Sequence, residues 1–251
     1  MKQLILIFGL LVTAACNNQN SPSNIGEAGA EKSDKDKLLN TGAELLQHKA
    51  PINAIATYMD GFHFYNGNPD AQMEAHHYVT QLSEDLYQAV IYDGNQKDAK
   101  LMGVEYIVTE KLFKGLPEQE KKLWHSHRYE VKSGLLTAPG IPDRIEHELM
   151  EKLVSTYGKT IHTWHTDQEN SLPVGAPMIM MGFTQDGQIH DHLIKERDTR
   201  FKINTTEIRN KRNDIAVKEI VSGADAWKNG EFRQFTISSE IDSALHKHQK
   251  Q

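Results

Sequence analysis

The chain has 251 residues, 38% of them hydrophobic and 25% charged, which is enough for one domain with a sizeable core. Its 28 Lys and Arg against 34 Asp and Glu give a formal net charge of −6, and no long basic run occurs, which argues against nucleic acid as a partner. A mean hydropathy of −0.58 excludes a polytopic membrane protein, and a lone cysteine excludes an intramolecular disulfide.

The first stretch reads MKQLILIFGLLVTAACNNQNSPSN. Lys2 precedes an apolar run from Leu4 to Val12, too short for a stable bilayer-spanning helix; Thr13, Ala14 and Ala15 follow, then Cys16. This pattern predicts a secretory signal peptide over residues 1–15. The cysteine behind small residues resembles a bacterial lipobox, with Thr13 where Leu is usual. That resemblance implies cleavage before Cys16 and lipidation of its thiol, and several acyl chains on one terminus anchor a protein stably. Asn17 is not the Asp that commonly retains such proteins in the inner membrane, so the expected location is the outer membrane, facing the periplasm. Residues 16–36 are rich in Asn, Ser, Gly and charge and read as a disordered tether. Residues 37–243 read as one folded domain and 244–251 as a polar tail.

Within the domain, KLLNTGAELLQ carries Leu38, Leu39, Ala43, Leu45 and Leu46 at helical spacing. AQMEAHHYVTQLSEDL also reads as a helix, with Met73, His77 or His76, Tyr78 and Leu82 at roughly three- and four-residue steps. YQAVIYD and KLMGVEYIVTE read as strands joined through an Asp93-Gly94 turn into an antiparallel hairpin. A short helix is expected through Leu123, with Pro117 near its first position. IPDRIEHELMEKLVSTYG predicts a helix that starts at Pro142 or Asp143 and stops at Gly158. Its buried stripe is Ile145, Leu149 and Leu153, flanked by Met150, Val154 and Tyr157. Thr160 to Thr166 and Met178 to Phe183 are strand candidates, and a charged helix follows Asp191. Strands and helices do not alternate regularly, so the expected class is α+β, a single domain with an antiparallel sheet and several helices.

Histidine is the conspicuous residue type, with 13 in all. The close pairs are His76-His77, His125-x-His127, His162-x-x-His165 and His190-x-His192. Imidazole is the commonest metal ligand, and a site needs three or four ligands at one point. In a strand, His125 and His127 would face one side, whereas His162 and His165 would face opposite sides. On a helix, Glu74 would share a face with His77. The candidate metal ligands are therefore His76, His77, His125 and His127 with Glu74, or with Glu105 as the carboxylate ligand or base, and the ions that suit them are zinc, iron or copper. The competing reading makes these histidines a hydrogen-bonded core, with Trp124 and Tyr129 packed beside them. His190 and His192 sit in a polar stretch that reads as a surface turn.

Familiar catalytic patterns are missing. HELME places Glu151 where a zinc protease has its second His, and His147 and Glu151 fall off the apolar stripe. The chain has no G-x-S-x-G, Walker A or G-x-G-x-x-G motif. Ser126 between two histidines would point away from both in a strand. DGFHFYNGNPD lacks the alternating oxygen ligands of an EF-hand loop.

Three long stretches, QMEAHHYVTQLSEDLYQAVIYD, AKLMGVEYIVTEKLFKGLPEQEKKLWHSHRYEVKSGLL and TYGKTIHTWHTD with the following LPVGAPMIMM, closely resemble the oil-body-associated protein family. The resemblance runs from about Thr41 to Phe235 and implies association with neutral-lipid or membrane surfaces. It supplies no catalytic residues. His76, His77, His125 and His127 fall in family-type positions, while His162, His165, His190 and His192 depart from the plant pattern, as does the lipobox. The favoured expectation is a non-enzymatic envelope lipoprotein, held to a membrane by its acyl anchor and binding a lipid or a protein. The alternative is a histidine-based metal protein or metal-dependent enzyme.

Overall fold

The computed structural model describes residues 20–235. The expected signal peptide, the lipidation site at Cys16 and the polar tail lie outside the described residues.

Seven strands form the centre: β1 (Thr57–Tyr65), β2 (Asn68–Ser83), β3 (Leu86–Tyr92), β4 (Leu101–Thr109), β5 (His125–Ser126), β6 (Thr156–His162) and β7 (Met178–Met181). All their pairings are antiparallel. β1 to β4 form a meander; β4 then pairs with β6, β6 with β7 and β7 with β1, so six strands close into a barrel. Closure leaves no long free edge. The two-residue β5 lies against the start of β6, with His125 opposite Gly158.

Among the described residues, eight α-helices lie around the barrel: α1 (Asp34–Leu46), α2 (Ala50–Asn53), α3 (Glu110–Lys114), α4 (Glu118–Lys121), α5 (Arg128–Ser133), α6 (Asp143–Leu153), α7 (Asp191–Phe201) and α8 (Thr205–Lys211). The class is α+β, as expected. The β3–β4 hairpin, the helix behind Pro117, the strand from Met178 and the helix from Asp191 also stand where the sequence places them.

The period of two sorts the side chains. Met59, Gly61, His63 and Tyr65 share the inner face of β1, and the register sets Met73, Ala75, His77 and Val79 of β2 against it. Met59, Val79, Ala89 and Ile107 join Val131 of α5 and Met150 and Leu153 of α6 in one apolar cluster, which plugs one end of the barrel. Tyr65, Met73 and Met180 pack together toward the other end. His63 lies between these two layers along β1.

Three expectations are corrected. Residues 72–82, read as helical, belong to the 16-residue strand β2. Both faces of this strand are covered, because His76 and Thr80 on the outer side are buried like Ala75, His77 and Val79 on the inner side. A polar–apolar alternation is therefore hidden. The helix expected to run to Gly158 ends at Leu153, and Gly158 is inside β6. Within that helix, Met150 and Leu153 are buried whereas Ile145 is exposed, so the stripe is rotated from the one expected. Finally, the tether stretch is ordered where it is described. Ser21 is buried and accepts from the Arg200 guanidinium, and Ser23 donates to Asp93. α1 begins at Asp34 behind a Ser33 cap whose side chain accepts from the Asp36 amide.

Candidate functional site: histidines and glutamates inside the barrel

The register brings together inward-facing residues from four strands. His63 comes from β1, His77 from β2, Glu105 from β4 and His162 from β6. The segment from Trp124 to Glu130 adds His125, His127 and Glu130 from β5 and α5. His127 caps α5 rather than extending β5, and it still turns into the same space as His125, with ring centroids 5.0 Å apart.

Glu105 is the hub. Its Oε2 lies 3.1 Å from His77 Nε2, and its Oε1 lies 3.1 Å from His127 Nε2 and 3.5 Å from His125 Nε2. His63 stacks edge-on against His77, His125 and His162, with centroids 5.0, 5.8 and 5.5 Å away. Two overlapping triads, His63–His77–Glu105 and Glu105–His125–His127, each have donor atoms within 4.8 Å of one another. Both ring nitrogens of His125, Nδ1 of His77, Nδ1 of His162 and Oε2 of Glu130 are buried without a hydrogen-bond partner. Between these groups is a cavity of about 10 Å³, the space of one water or one ion.

Gly158 bounds the site. A methyl group there would lie 1.9 Å from Glu105 Oε1 and 2.8 Å from His127 Nε2. Only a residue without a side chain lets two imidazoles and a carboxylate meet over β6. Gly182 serves Glu130 similarly, since a Cβ there would lie 2.7 Å from its carboxyl carbon.

Burial dominates the electrostatics. It pushes His125 and His162 down to about 3 and His63 well below the usual imidazole range, so all three are neutral. Burial also drives Glu130 well above the usual carboxyl range, helped by the charges of Glu105 and Asp225. On Glu105 burial pushes upward too, but the contacts to His127 and His77 outweigh it and hold this carboxylate well below its ordinary value.

The expected ligand set divides. His77, His125 and His127 meet inside the barrel. His76 and Glu74 are on the opposite face of β2. There His76 Nδ1 lies 2.8 Å from the Tyr58 hydroxyl and 3.3 Å from Asp60 Oδ2, while Glu74 is paired with Arg200 of α7. Asp60, His76 and Glu74 form a cluster of their own, in which Arg197 approaches Asp60 at 3.4 Å. With Arg200 paired to Glu74 and Arg197 beside Asp60, this outer cluster reads as a structural polar network. The correction follows from strand geometry: neighbours in β2 point to opposite faces, and a helix would have placed Glu74 beside His77. Glu105, named as the alternative carboxylate, is the one that is central.

His63, His162 and Glu130 were missed as site residues. A signal for His63 exists in TYMDGFHFY, where alternation puts it on the face of Met59 and Gly61. His162 was set aside with His165; the two do diverge, and His165 bonds instead to Tyr65 and the Ala176 carbonyl. His190 and His192 are exposed, but they stand at the cap and in the first turn of α7 rather than in a turn, and Ser126 donates to Asp225, away from both flanking histidines. Among the described residues, no helix is long and apolar enough to cross a membrane.

A family described as a protein of unknown function, DUF1264, matches residues 49–216. Oil body-associated protein 1B of Arabidopsis thaliana is 39% identical over 205 residues, covering 80% of this chain and 85% of that protein. Oil body-associated protein 1A of Zea mays is 40% identical over 201 residues, with 80% and 82% covered, and protein 2A of Zea mays is 38% identical over 195 residues, with 76% and 77% covered. No solved structure matches. The matched residues include β1, β2, β4 and the LWHSHRYE segment that build the barrel interior, and the chain belongs to the oil body-associated protein family.

Proposed function

We propose that this chain is a non-catalytic lipoprotein of the bacterial envelope, tethered through acylated Cys16, whose helix α1 lies on a lipid surface and holds the barrel beside it. The observation that carries the reading is the unpartnered apolar face of α1. None of its residues is buried, and Leu45 and Leu46 are 80% and 85% exposed. Leu38, Leu39, Leu45 and Leu46 fall within an arc of ~120°, with Asp36, Asn40 and Glu44 on the other side. An amphipathic helix of this kind gains stability by sinking its leucines into the headgroup–acyl boundary. Ile52 of α2 is 61% exposed and extends the apolar surface. The names of the plant relatives place those proteins with oil bodies, which are lipid surfaces. The barrel cavity, at about 10 Å³, is too small for an acyl chain, so lipid contact belongs outside.

Two measurements on the full chain test the two parts. Incorporation of labelled palmitate, abolished by Cys16→Ser, supports the anchor; an unlabelled wild-type chain removes it. For α1, the unlipidated Cys16→Ser chain is floated with phosphatidylethanolamine–phosphatidylglycerol vesicles, with and without Leu38→Gln, Leu45→Gln and Leu46→Gln. At about 1.5 kcal/mol or more per buried leucine, the triple variant should bind at least ~100-fold more weakly. Equal binding by both would sink this role for α1.

A further inference from the structure

We propose that the barrel interior binds a single divalent first-row transition-metal ion, with Glu105 supplying the carboxylate and His63, His77, His125 and His127 the imidazoles. This is separate from lipid contact: the cluster is enclosed in the barrel, and α1 contributes nothing to it.

The first argument is a proton count at His127. The Thr156 hydroxyl carries one hydrogen and donates it to the Leu153 carbonyl at 2.7 Å. Its oxygen therefore accepts from His127, whose Nδ1 is 2.8 Å away and must carry the proton. The other nitrogen, Nε2, points at Glu105 Oε1 from 3.1 Å. A buried imidazole nitrogen and a carboxylate oxygen at this distance share a positive centre, either a ring proton or a metal ion. A metal-bound histidine has this same arrangement: one nitrogen on the ion, the other donating to a fixed acceptor behind it.

The second argument is geometric. Around one ion with bonds of ~2.1 Å, adjacent ligand atoms lie roughly 3.0–3.4 Å apart. His77 Nε2 lies 3.1 Å from Glu105 Oε2 and His127 Nε2 lies 3.1 Å from Oε1, both within that range, and His125 Nε2, 3.5 Å from Oε1, is just outside it. The third argument is the unmet demand. His125 has both ring nitrogens buried and unpartnered, 0% of the residue is exposed, and the adjoining cavity has room for one ion. A core histidine kept only for packing would have one nitrogen satisfied.

The donor set selects the class of ion. Imidazoles with one carboxylate suit zinc, iron, manganese, cobalt, nickel or copper in the divalent state. Calcium and magnesium need oxygen cages, which this interior does not offer. The cavity admits the ion with no organic substrate beside it, so a bound metal would act on the fold itself, tying β1, β2, β4 and the start of α5 together.

The test uses the full chain, purified without a histidine tag and without chelator. Elemental analysis should find about one transition-metal ion per chain, and chelator-treated protein should take up about one equivalent of Co²⁺ with ligand-field absorption bands, displaced by Zn²⁺. Glu105→Gln and the double variant His125→Ala/His127→Ala should each lose the ion, while His76→Ala, on the other face of β2, keeps it. Should the interior variants fail to fold, wild-type protein decides: nitrogen-15 NMR of the metal-free chain should show the ring nitrogens of His125 and His127 shifted by one equivalent of Zn²⁺ and those of His76 unmoved; no shift at His125 and His127 would overturn the site. The proposal is overturned if the chain is isolated metal-free and takes up no Co²⁺. Retention of the ion by Glu105→Gln and by the double variant overturns it equally.

Discussion

Gly158 decides whether the interior can exist at all. Its neighbours along β6 carry side chains, but a methyl group at this position would overlap Glu105 Oε1 at 1.9 Å. Overpacking of this kind costs about 1–3 kcal/mol even where the neighbours can move, and here the obstacles are a carboxylate and two imidazoles with their own partners. Gly158→Ala should therefore lower stability by ~3 kcal/mol in a denaturant titration, while Gly115→Ala, which meets nothing closer than 3.5 Å, should change it little. Arg212 makes a comparable argument by subtraction. Fully buried, it donates to the carbonyls of Val131 and Leu136 and pairs with Glu146, joining the end of α8 to α5 and α6. Arg212→Ala would leave Glu146 without its partner and remove a donor from the Leu136 and Val131 carbonyls, the second of which keeps the Gly134 amide, a loss of roughly 3–5 kcal/mol. A shift in unfolding midpoint of only a few tenths of that size would show that water replaces the guanidinium at little cost.

At the level of elements, α1 and β4 make opposite demands on the same residue types. α1 carries four leucines and buries none, so Leu45→Gln should change the stability of the fold by no more than about 0.5 kcal/mol. Ile107 of β4 is in the barrel plug, and Ile107→Ala should cost roughly 2–5 kcal/mol. Thermal unfolding of the two variants separates a helix that serves a surface from a strand that serves the core. The sequence shows β3, β4 and α7 because each has one covered face or a clear turn signal beside it, and α1 because its leucines recur at helical spacing. It hides β2 because Glu74, His76, Tyr78 and Thr80 line a face that α7 partly covers, with Arg200 on Glu74 and Arg197 near Asp60. The same ambiguity cost the site two of its expected ligands. Once β2 is a strand, His76 and Glu74 must leave the interior and His77 must stay.

For the molecule as a whole, closure is what composition and periodicity leave unread. The contacts of β1 with β7 and of β4 with β6 join segments far apart in sequence, and together with the pairing of β5 on β6 they bring His63, Glu105 and His125 to one point. LWHSH was legible as a candidate, but its partners were not. Closure also packs neutral groups of both kinds into one fold, with opposite consequences for pH. Burial holds His63, His125 and His162 neutral, and His76 is held down to about 4. In the unfolded chain these rings titrate near ~6.5, so their contribution is complete above that pH and is lost as pH falls. Burial likewise keeps Asp60, Glu130 and Asp225 protonated beyond the usual range. Their contribution is complete below ~4 and is lost as pH rises, because the unfolded carboxyls ionise first. Two isosteric or near-isosteric changes in chelator-treated protein should expose the two signs. Relative to wild type, Glu130→Gln should become more stable as pH rises from about 4.5, by up to ~1.4 kcal/mol per unit. His162→Gln should gain relative to wild type in the other direction, as pH falls from about 6.5, at up to the same slope. Urea titrations at several pH values between these limits give both differences. Parallel curves for Glu130→Gln and wild type would mean that Glu130 ionises normally, and hence that the barrel interior is wetter than its enclosed cavity implies.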